Sequence, residues 1–279
     1  NSAALAESFN DIIAQAKITR EYKGTMTQLV DKVTLGENNG PNWNEVNLGR
    51  LTATSITETT ESTNPQQVAD SLLTMSPTMV EVHTVILDRM ERQAAKAVIG
   101  KIGGLAQNAI QRKKDIDGLV ALDAGTVLST LGAGTTLSSG MIAAQATRIR
   151  SNTTEPWDGP VVAVLHGFQV KDLFDELTAA IGTYDISKGQ TAEVFQNGFE
   201  LKIANTMIVT DGNITIDSSD DAKGGTFARG KGGALVLVQG KSPWIVNVRN
   251  EKLGGGANEV LHRDEYIYGE RTAGGTAGV

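Results

Sequence analysis

The chain has no cysteine, and aromatic residues make up only 5% of its 279 residues. The lack of cysteine excludes disulfide bonds and thiolate metal sites, so stability must come from packing or from assembly. No run of about eighteen apolar residues occurs, and the sequence therefore predicts no membrane-spanning helix. The amino terminus has no basic segment followed by an apolar run, which gives no case for a secretory signal.

An excess of positive charge is also lacking, because the formal net charge is -7 and the pI is near 5.1. This charge argues against a protein that grips nucleic acid by neutralising its phosphates. It is compatible with a container that only encloses nucleic acid. The length and the 40% hydrophobic content provide enough apolar material for one large domain or two small ones.

The longest periodic pattern runs from Ala94 to Leu122 and predicts a long amphipathic helix, about 40 Å in length. Its apolar residues recur at steps of three, four and seven: Val98, Ile102, Leu105, Ala109, Ile116 and Val120. Gly103 and Gly104 in its middle predict a bend or a close packing of backbones, since each costs roughly 0.5 to 1 kcal/mol in a helix. Periodicity alone is equally compatible with a core helix of a soluble enzyme.

The first part of the chain predicts a short helix over residues 3–21 and then a long hairpin. The arms of the hairpin are the strand-like runs 26–35 and 44–56, on either side of the turn-rich GENNGPNW. The arms carry little apolar surface, so we expect the hairpin to lie against something else. Residues 69–85 alternate in polarity around Pro77 and predict two strand segments or one bulged strand.

The second half predicts an α/β layer domain with a central sheet. A helix at 139–151 precedes the continuous apolar run 160–166, which is typical of a buried strand, and a second helix closes at Gly182. Further strands are predicted at 200–209 and 234–238.

The segment 211–233 is polar and rich in glycine, and we interpret it as a mobile loop. Beyond it, residues 244–268 have two strand-like ends around GGGAN. The chain is therefore expected to leave the α/β domain at about Ser242 and return to the strands beside the long helix.

The sequence GTFARGK at residues 225–231 matches most of the phosphate-binding P-loop motif. That motif needs a preceding strand, a Ser or Thr after the lysine and a following helix. Here Gly232 follows Lys231, an acidic loop precedes the motif and the strand-like ALVLVQ comes next. We interpret the segment as a basic glycine-rich turn.

The sequence predicts no catalytic, cofactor-binding or metal-binding residue. The three histidines, His83, His166 and His262, have no metal-binding spacing, and no GxSxG serine motif occurs. The spaced carboxylates are interpreted as solvated helix faces or salt bridges: Asp172 with Glu176, and Glu81 with Asp88. The basic cluster of residues 112–114 is interpreted as a subunit interface or a solvated face, with nucleic acid or an acidic partner as the alternative.

The order of these parts and two local stretches resemble the major capsid protein of tailed bacteriophages, the Hong Kong 97-like fold of siphophage-like coat proteins. The stretches are KKDIDGLVAL, which resembles the exit of that family's spine helix, and RIRSNTTEPWDGPVVAVLHGFQVKDLFDEL, which resembles its axial domain. The resemblance covers essentially the whole chain and implies an α+β fold. It divides the chain into an N-terminal arm (1–23), an extended hairpin loop (24–62), a peripheral domain with the spine helix (63–122 and 244–279) and an α/β axial domain (123–243).

The resemblance also implies a function without enzymatic activity. Copies of the chain would self-assemble as pentamers and hexamers, interlocked by the arm and the loop, into an icosahedral virion head that forms in the host bacterial cytoplasm. The head would enclose double-stranded DNA without sequence-specific binding and without a membrane, and scaffold, portal and decoration proteins are the implied partners. A family cross-link between lysine and asparagine is not expected, because nothing selects Lys23 or Lys32 for it. The alternatives are an encapsulin-type compartment and a soluble α/β enzyme with a nucleotide site at 211–233.

Overall fold

A computed structural model describes residues 24–36, 40–49, 51–59, 65–68, 70–93, 96–125, 135–153, 156–181, 202–217, 221–253 and 255–271. Its helices are α1 (Met26–Leu29), α2 (Asp88–Gln93), α3 (Lys96–Asp123), α4 (Ser139–Arg150) and α5 (Gly167–Ile181). Its strands are β1 (Asp31–Thr34), β2 (Trp43–Leu48), β3 (Asp70–Met75), β4 (Thr78–Leu87), β5 (Val161–Leu165), β6 (Lys202–Ile203), β7 (Thr206–Thr210), β8 (Gly225–Ala228), β9 (Leu235–Asn250) and β10 (Ala257–Glu270). The predicted N-terminal helix at 3–21 lies outside the described residues.

The first sheet has the strand order β1-β9-β10-β4. The hairpin of β9 and β10 forms its centre, β4 is antiparallel to β10, and β1 is parallel to β9. β10 pairs with β4, and both strands contact the long helix Lys96–Asp123. The expected boundary at 243/244 falls inside β9, which is one strand of 16 residues. The ladder between β9 and β10 is irregular from Arg263 to Tyr266, where the register shifts twice.

The long helix is confirmed as α3, which packs against β10 and β4. Its buried side is not the predicted apolar stripe, because Leu105 and Val120 are exposed. Buried positions recur at steps of four, and Asp115 is buried beside them: Ala106, Ile110, Lys114, Gly118 and Leu122. A lysine and a glycine on the packed side explain why hydrophobicity alone pointed to the wrong face of this helix. The predicted bend at Gly103 and Gly104 stays a prediction, and both residues are helical.

The second sheet has the order β6-β7-β5-β8 and confirms the predicted α/β layer. Every residue of β5 is buried, as its continuous apolar sequence predicted. β5 is parallel to β7 and antiparallel to β8. Ile142 of α4 and Leu173 of α5 pack on one side of the sheet with Leu165. The other side shares a core with α1 and with the first sheet.

Two predictions for this region are wrong. The segment 211–233 is not all loop, because it contains β8, a fully buried strand centred on Phe227. Glycine and polar residues on both sides of that short strand hid its pattern. The run 234–238 does not join the central sheet but begins β9 in the first sheet.

The predicted pairing of the hairpin is also wrong. Met26–Leu29 is a helical turn with two buried side chains, and β1 pairs with β9. The second predicted arm, as β2, pairs with β3 and forms a separate two-stranded sheet. The exposure of residues alternates along both β1 and β2, and alternation identifies a strand without identifying its partner. Pro77 lies between β3 and β4, so of the two predicted alternatives the structure has the two strand segments and not one bulged strand.

Within the described residues, no helix has both the length and the apolar character to cross a bilayer.

Candidate functional site

The sheet of β2 and β3, which we call the ribbon, leaves apolar side chains in solvent. Its register places Val46 opposite Leu72, and Leu48 lies on the same face. Val46 is 59% exposed, Leu72 is 61% exposed and Leu48 is 65% exposed. Since two-stranded ribbons are marginally stable alone and contiguous apolar surface marks interaction sites, this face is a candidate binding surface.

The segments beyond the ribbon extend the apolar surface. Leu51, Ile56 and Val68 are each more than half exposed and lie in stretches without strand structure. The opposite face of the ribbon is different at its base, where Trp43 and Leu73 pack against a core that includes Val238. One face therefore holds the ribbon to the molecule and the other remains open.

Arg271 fixes the base of the ribbon. Its Nε donates to Glu45 Oε2 at 2.7 Å, and its Nη1 lies 2.8 Å from Asp31 Oδ2 and donates to the Gly233 carbonyl at 3.1 Å. The guanidinium also lies over the Trp43 ring, 5.8 Å from its centroid. This nearly buried side chain therefore ties β2, β1 and the turn before β9 to the end of β10. Sequence reasoning missed it, because its partners are far apart in the chain.

The outer half of the first sheet is a second surface with exposed apolar side chains. The register places Met79, Val85 and Val248 on the face opposite α3, and all three are exposed. Polar contacts lie between them: His83 Nε2 is 3.2 Å from Glu259 Oε2, and Arg263 forms an ion pair with Glu81. This mixed surface resembles the polar and apolar mosaic of a protein interface.

The three histidines do not meet. His83 and His262 lie on neighbouring strands but on opposite faces, since His262 is buried on the side of α3. His166 follows β5 in the other sheet, where its Nδ1 accepts the Phe168 N–H at 3.3 Å. Among the residues that the structure describes, no group of three metal-ligating side chains comes together.

The spaced carboxylates have structural partners. Glu81 pairs with Arg263, and two hydrogen bonds from Arg249 lower the pKa of Asp88, which agrees with the salt-bridge interpretation. Asp172 and Glu176 have another role, which the sequence interpretation missed. Asp172 accepts the Leu137 N–H at 3.2 Å, and Glu176 accepts the N–H and hydroxyl of Ser139 at 2.6 and 3.0 Å. They satisfy backbone donors at the start of α4.

The basic cluster 112–114 is divided between surface and interior. Lys113 forms an exposed pair with Asp117 one turn along α3. The interface or solvated-face interpretation is wrong for Lys114, whose Nζ lies 3.1 Å from Asp264 Oδ2, binds Gln239 and lies 4.6 Å from the centroid of the Tyr266 ring. The ion pair with a carboxylate offsets the desolvation cost of burying this lysine. Its charge therefore joins α3 to the irregular part of β9 and β10.

The segment with the near-P-loop sequence begins as β8 and continues into a turn. Gly230 and Gly232 have φ values of 121° and 76°, which only glycine adopts readily, and the turn leads into β9. The helix N-terminus that a phosphate site requires does not follow it.

A buried polar junction, which sequence reasoning also missed, joins α3 to the start of the described chain. Asp115 Oδ1 accepts the Met26 N–H at 3.0 Å, and its Oδ2 accepts Asn213 Nδ2 at 2.8 Å. Asp211 Oδ2 accepts the N–H and hydroxyl of Thr25 at 3.1 and 2.8 Å. The available signal was the position of Asp115 three residues before Gly118 and seven before Leu122, which places it on the packed side of the helix.

Comparison with known proteins finds relatives by structure only. No protein-family model and no curated protein sequence matches the chain. The capsid structure of cyanophage Pam1 matches 94% of this chain and 93% of its own, with a TM-score of 0.71 and 9% identity. The capsid of cyanophage P-SCSP1u matches over 94% and 89%, with a TM-score of 0.69 and 10% identity. The structure from Mycobacterium phage Che8 matches over 94% and 93%, with a TM-score of 0.67 and 14% identity.

These matches define the class of the fold. The chain has the α+β fold of bacteriophage capsid proteins over nearly its whole length, and the fold implied by the sequence resemblance is confirmed.

Proposed function

We propose that the chain is the major capsid protein of a tailed bacteriophage, and that its copies assemble as pentamers and hexamers into an icosahedral head around double-stranded DNA. The observation that carries this proposal is the match to capsid structures over about nine tenths of both chains. In this proposal the role is structural and not enzymatic, and the protein resides in the virion.

The open face of the ribbon supports self-association. Full burial of a Val or Leu side chain is worth roughly 1.5 to 3 kcal/mol. Val46, Leu48 and Leu72 together therefore offer several kcal/mol to an association that covers them. A contact of this kind, repeated between all neighbouring copies, would contribute to holding a shell together without disulfides. We assign the covering surface to an adjacent copy of the chain.

The four regions implied by the resemblance remain part of the proposal. They are an arm at 1–23, an extended loop from residue 24, a peripheral domain with α3 and residues 244–279, and an axial domain at 123–243. The pairing of β2 with β3 supports a loop that extends to residue 75, beyond the expected end at residue 62. The net charge of -7 suits an enclosure in which DNA stays mobile. Scaffold, portal and decoration proteins are the proposed partners.

The first test is whether the expressed chain assembles. Negative-stain microscopy and size-exclusion chromatography should show closed shells, or rings of five and six subunits. A monomer near 29.5 kDa at every protein concentration, also with the phage's other head proteins present, would contradict the proposal. The contents of shells that form in infected cells distinguish a phage head from an encapsulin-type compartment, since DNA is expected in the first and a protein cargo in the second.

The second test concerns the ribbon. Leu72→Gln places a polar side chain on the open face and should reduce shell formation strongly. Ser71→Gln is the matched control, because Ser71 is the preceding residue of the same strand and its side chain points to the other face. If the two variants assemble equally well, the open face is not part of the assembly contact. That result would not bear on the capsid fold.

A further inference from the structure

The buried junction of Asp115 and Asp211 brings two acidic side chains together, and the described residues supply no counter-ion for them. Neither residue has measurable exposure to solvent. Asn213 links the two carboxyl groups, because its side chain donates to Asp115 Oδ2 and its backbone N–H donates to Asp211 Oδ1. Within the described part of the chain, no lysine, arginine or histidine contacts either carboxyl group. A pair of this kind cannot carry two full charges without strong repulsion.

The surroundings of the pair are polar but not cationic. The described residues from Gly24 to Val30 carry no charged side chain. The loop after β7 contributes Asn213, which donates from its side chain to Asp115 and from its backbone to Asp211 Oδ1 at 2.9 Å. The other charged or titratable groups nearby are on α3 and β10: Lys114, Asp117, Asp264, Tyr266 and Tyr268.

None of these groups neutralises the pair. Lys114 is bound to Asp264 and Gln239, and Tyr266 donates to Asp117 at 2.9 Å. The Tyr268 hydroxyl is buried with no hydrogen-bond partner among the described residues, and burial together with the charge of Asp115 raises its pKa. Because no described group neutralises the pair, we take a proton as the species that reduces the repulsion between the two carboxyl groups.

The same two residues hold the chain where residue 24 begins. Asp115 and Asp211 accept every hydrogen bond that fixes Thr25 and Met26 to α3 and to the β7 loop. Gly24 passes so close that a Cβ there would lie 2.1 Å from Asp115 Cγ. Repulsion between the two carboxylates therefore acts directly on the attachment of this segment.

We propose that Asp115 and Asp211 form a proton-dependent latch: one shared proton holds residues 24–26 against α3 and the β7 loop, and loss of that proton loosens them. The latch regulates how firmly the chain before residue 24 is joined to the body of the protein. It follows from the fold alone and does not depend on the proposed function.

The direction of the pH effect follows from burial. Burial raises the pKa of Asp115 from 3.8 to about 6, and the negative charge of Asp211 contributes to the increase. A carboxyl group with a raised pKa in the closed form stabilises that form most at low pH, and the stabilisation is lost as the pH rises through about 6. By this linkage the closed form should become about tenfold less favoured between pH 5 and pH 7, with little further change above pH 7.

Hydrogen exchange of the full chain tests the latch. The reporter is a peptide covering residues 24–36, and its protection factor is corrected for the intrinsic pH dependence of exchange. We expect protection of the Met26 amide to fall about tenfold from pH 5 to pH 7. A peptide covering residues 161–165 should show constant protection, since that strand contains no titratable group.

Variants separate the latch from general destabilisation. Asp115→Asn keeps an oxygen for the Met26 N–H and replaces the oxygen that accepts from Asn213 with a donor that can face Asp211, so its protection should not depend on pH. Asp211→Asn should behave in the same way and serves if the first variant does not fold. Asp117→Asn, on the same helix, should retain the wild-type pH dependence. Constant wild-type protection between pH 5 and pH 7, or an unchanged pH dependence in both asparagine variants, would overturn the proposal.

Discussion

The second sheet and the ribbon are built from the same kinds of residue and use them in opposite ways. All five residues of β5 are buried between helices and neighbouring strands. Val46, Leu48 and Leu72 of the ribbon have a similar composition and remain mostly in solvent. Apolar residues in the first region contribute to folding of the chain, whereas those in the second are available for association. Substitutions should therefore separate the two equilibria.

The largest effect on folding is expected from Phe227→Ala. Phe227 is the largest fully buried side chain of the described structure, and its removal leaves a cavity in the core shared by both sheets. The free energy of unfolding should fall by about 3 to 5 kcal/mol in urea denaturation of the unassembled chain. Phe168→Ala, at an exposed phenylalanine, is the control and should change it much less. Similar losses in both variants would contradict the assignment of the core.

A smaller loss of folding stability is expected from Arg271→Gln, because Arg271 lies at the boundary between the two regions. The change leaves Asp31 and Glu45 without their shared cation, and the free energy of unfolding should fall by about 2 kcal/mol. Arg263→Gln breaks a more exposed pair and should cost less. If the ribbon is held by other contacts, Arg271→Gln would leave proteolysis of the ribbon unchanged. We expect faster cleavage near residues 51–59.

A gain in stability is expected from Gly104→Ala on the exposed side of α3. Nothing lies within 4 Å of the Cβ that alanine would add, so the helix should gain roughly 0.5 to 1 kcal/mol in thermal or urea unfolding. Gly118→Ala provides the contrast, since its Cβ would lie 2.9 Å from that of Met26. It should destabilise the chain, and equal effects at the two glycines would contradict the observed packing side of the helix.

The smallest effect on folding is expected from Leu72→Gln. The side chain is already exposed, so the free energy of unfolding of the unassembled chain should change by less than about 0.5 kcal/mol. Urea denaturation of monomeric protein gives this value beside the assembly measurement proposed above. A loss as large as that of Phe227→Ala would show that the ribbon contributes to folding and would remove the contrast between the regions.

The sequence predicted the elements whose evidence is local. The length of α3, the buried strand β5 and the helix that follows it were all recognised from periodicity or composition. The pairing of β2 with β3 was missed because the partner of a strand depends on contacts between distant residues. β8 was missed because a four-residue strand is too short to show a pattern.

The polar contacts of the interior were missed for a related reason. Lys114 and Asp115 are adjacent charged residues on α3, and charge in a helix usually marks the solvent side. Each is buried because a partner from another element satisfies it, Asp264 for the lysine and Asn213 for the aspartate. The apolar stripe predicted for α3 consequently pointed to the wrong face. Only the tertiary structure supplies those partners.

The irregularity in the ladder of β9 and β10 lies between the buried part and the exposed part of one long strand. β9 spans about 50 Å, with its first four residues anchored in the core and its last eight largely outside it. A register shift increases the local twist and bends a strand, so we expect the sheet to bend most readily between Arg263 and Tyr266. Lys114 forms its buried ion pair with Asp264 in that part of the ladder. This ion pair and the bonds of Gln239 to both of its members therefore join α3 to the sheet at the place where the ladder is irregular.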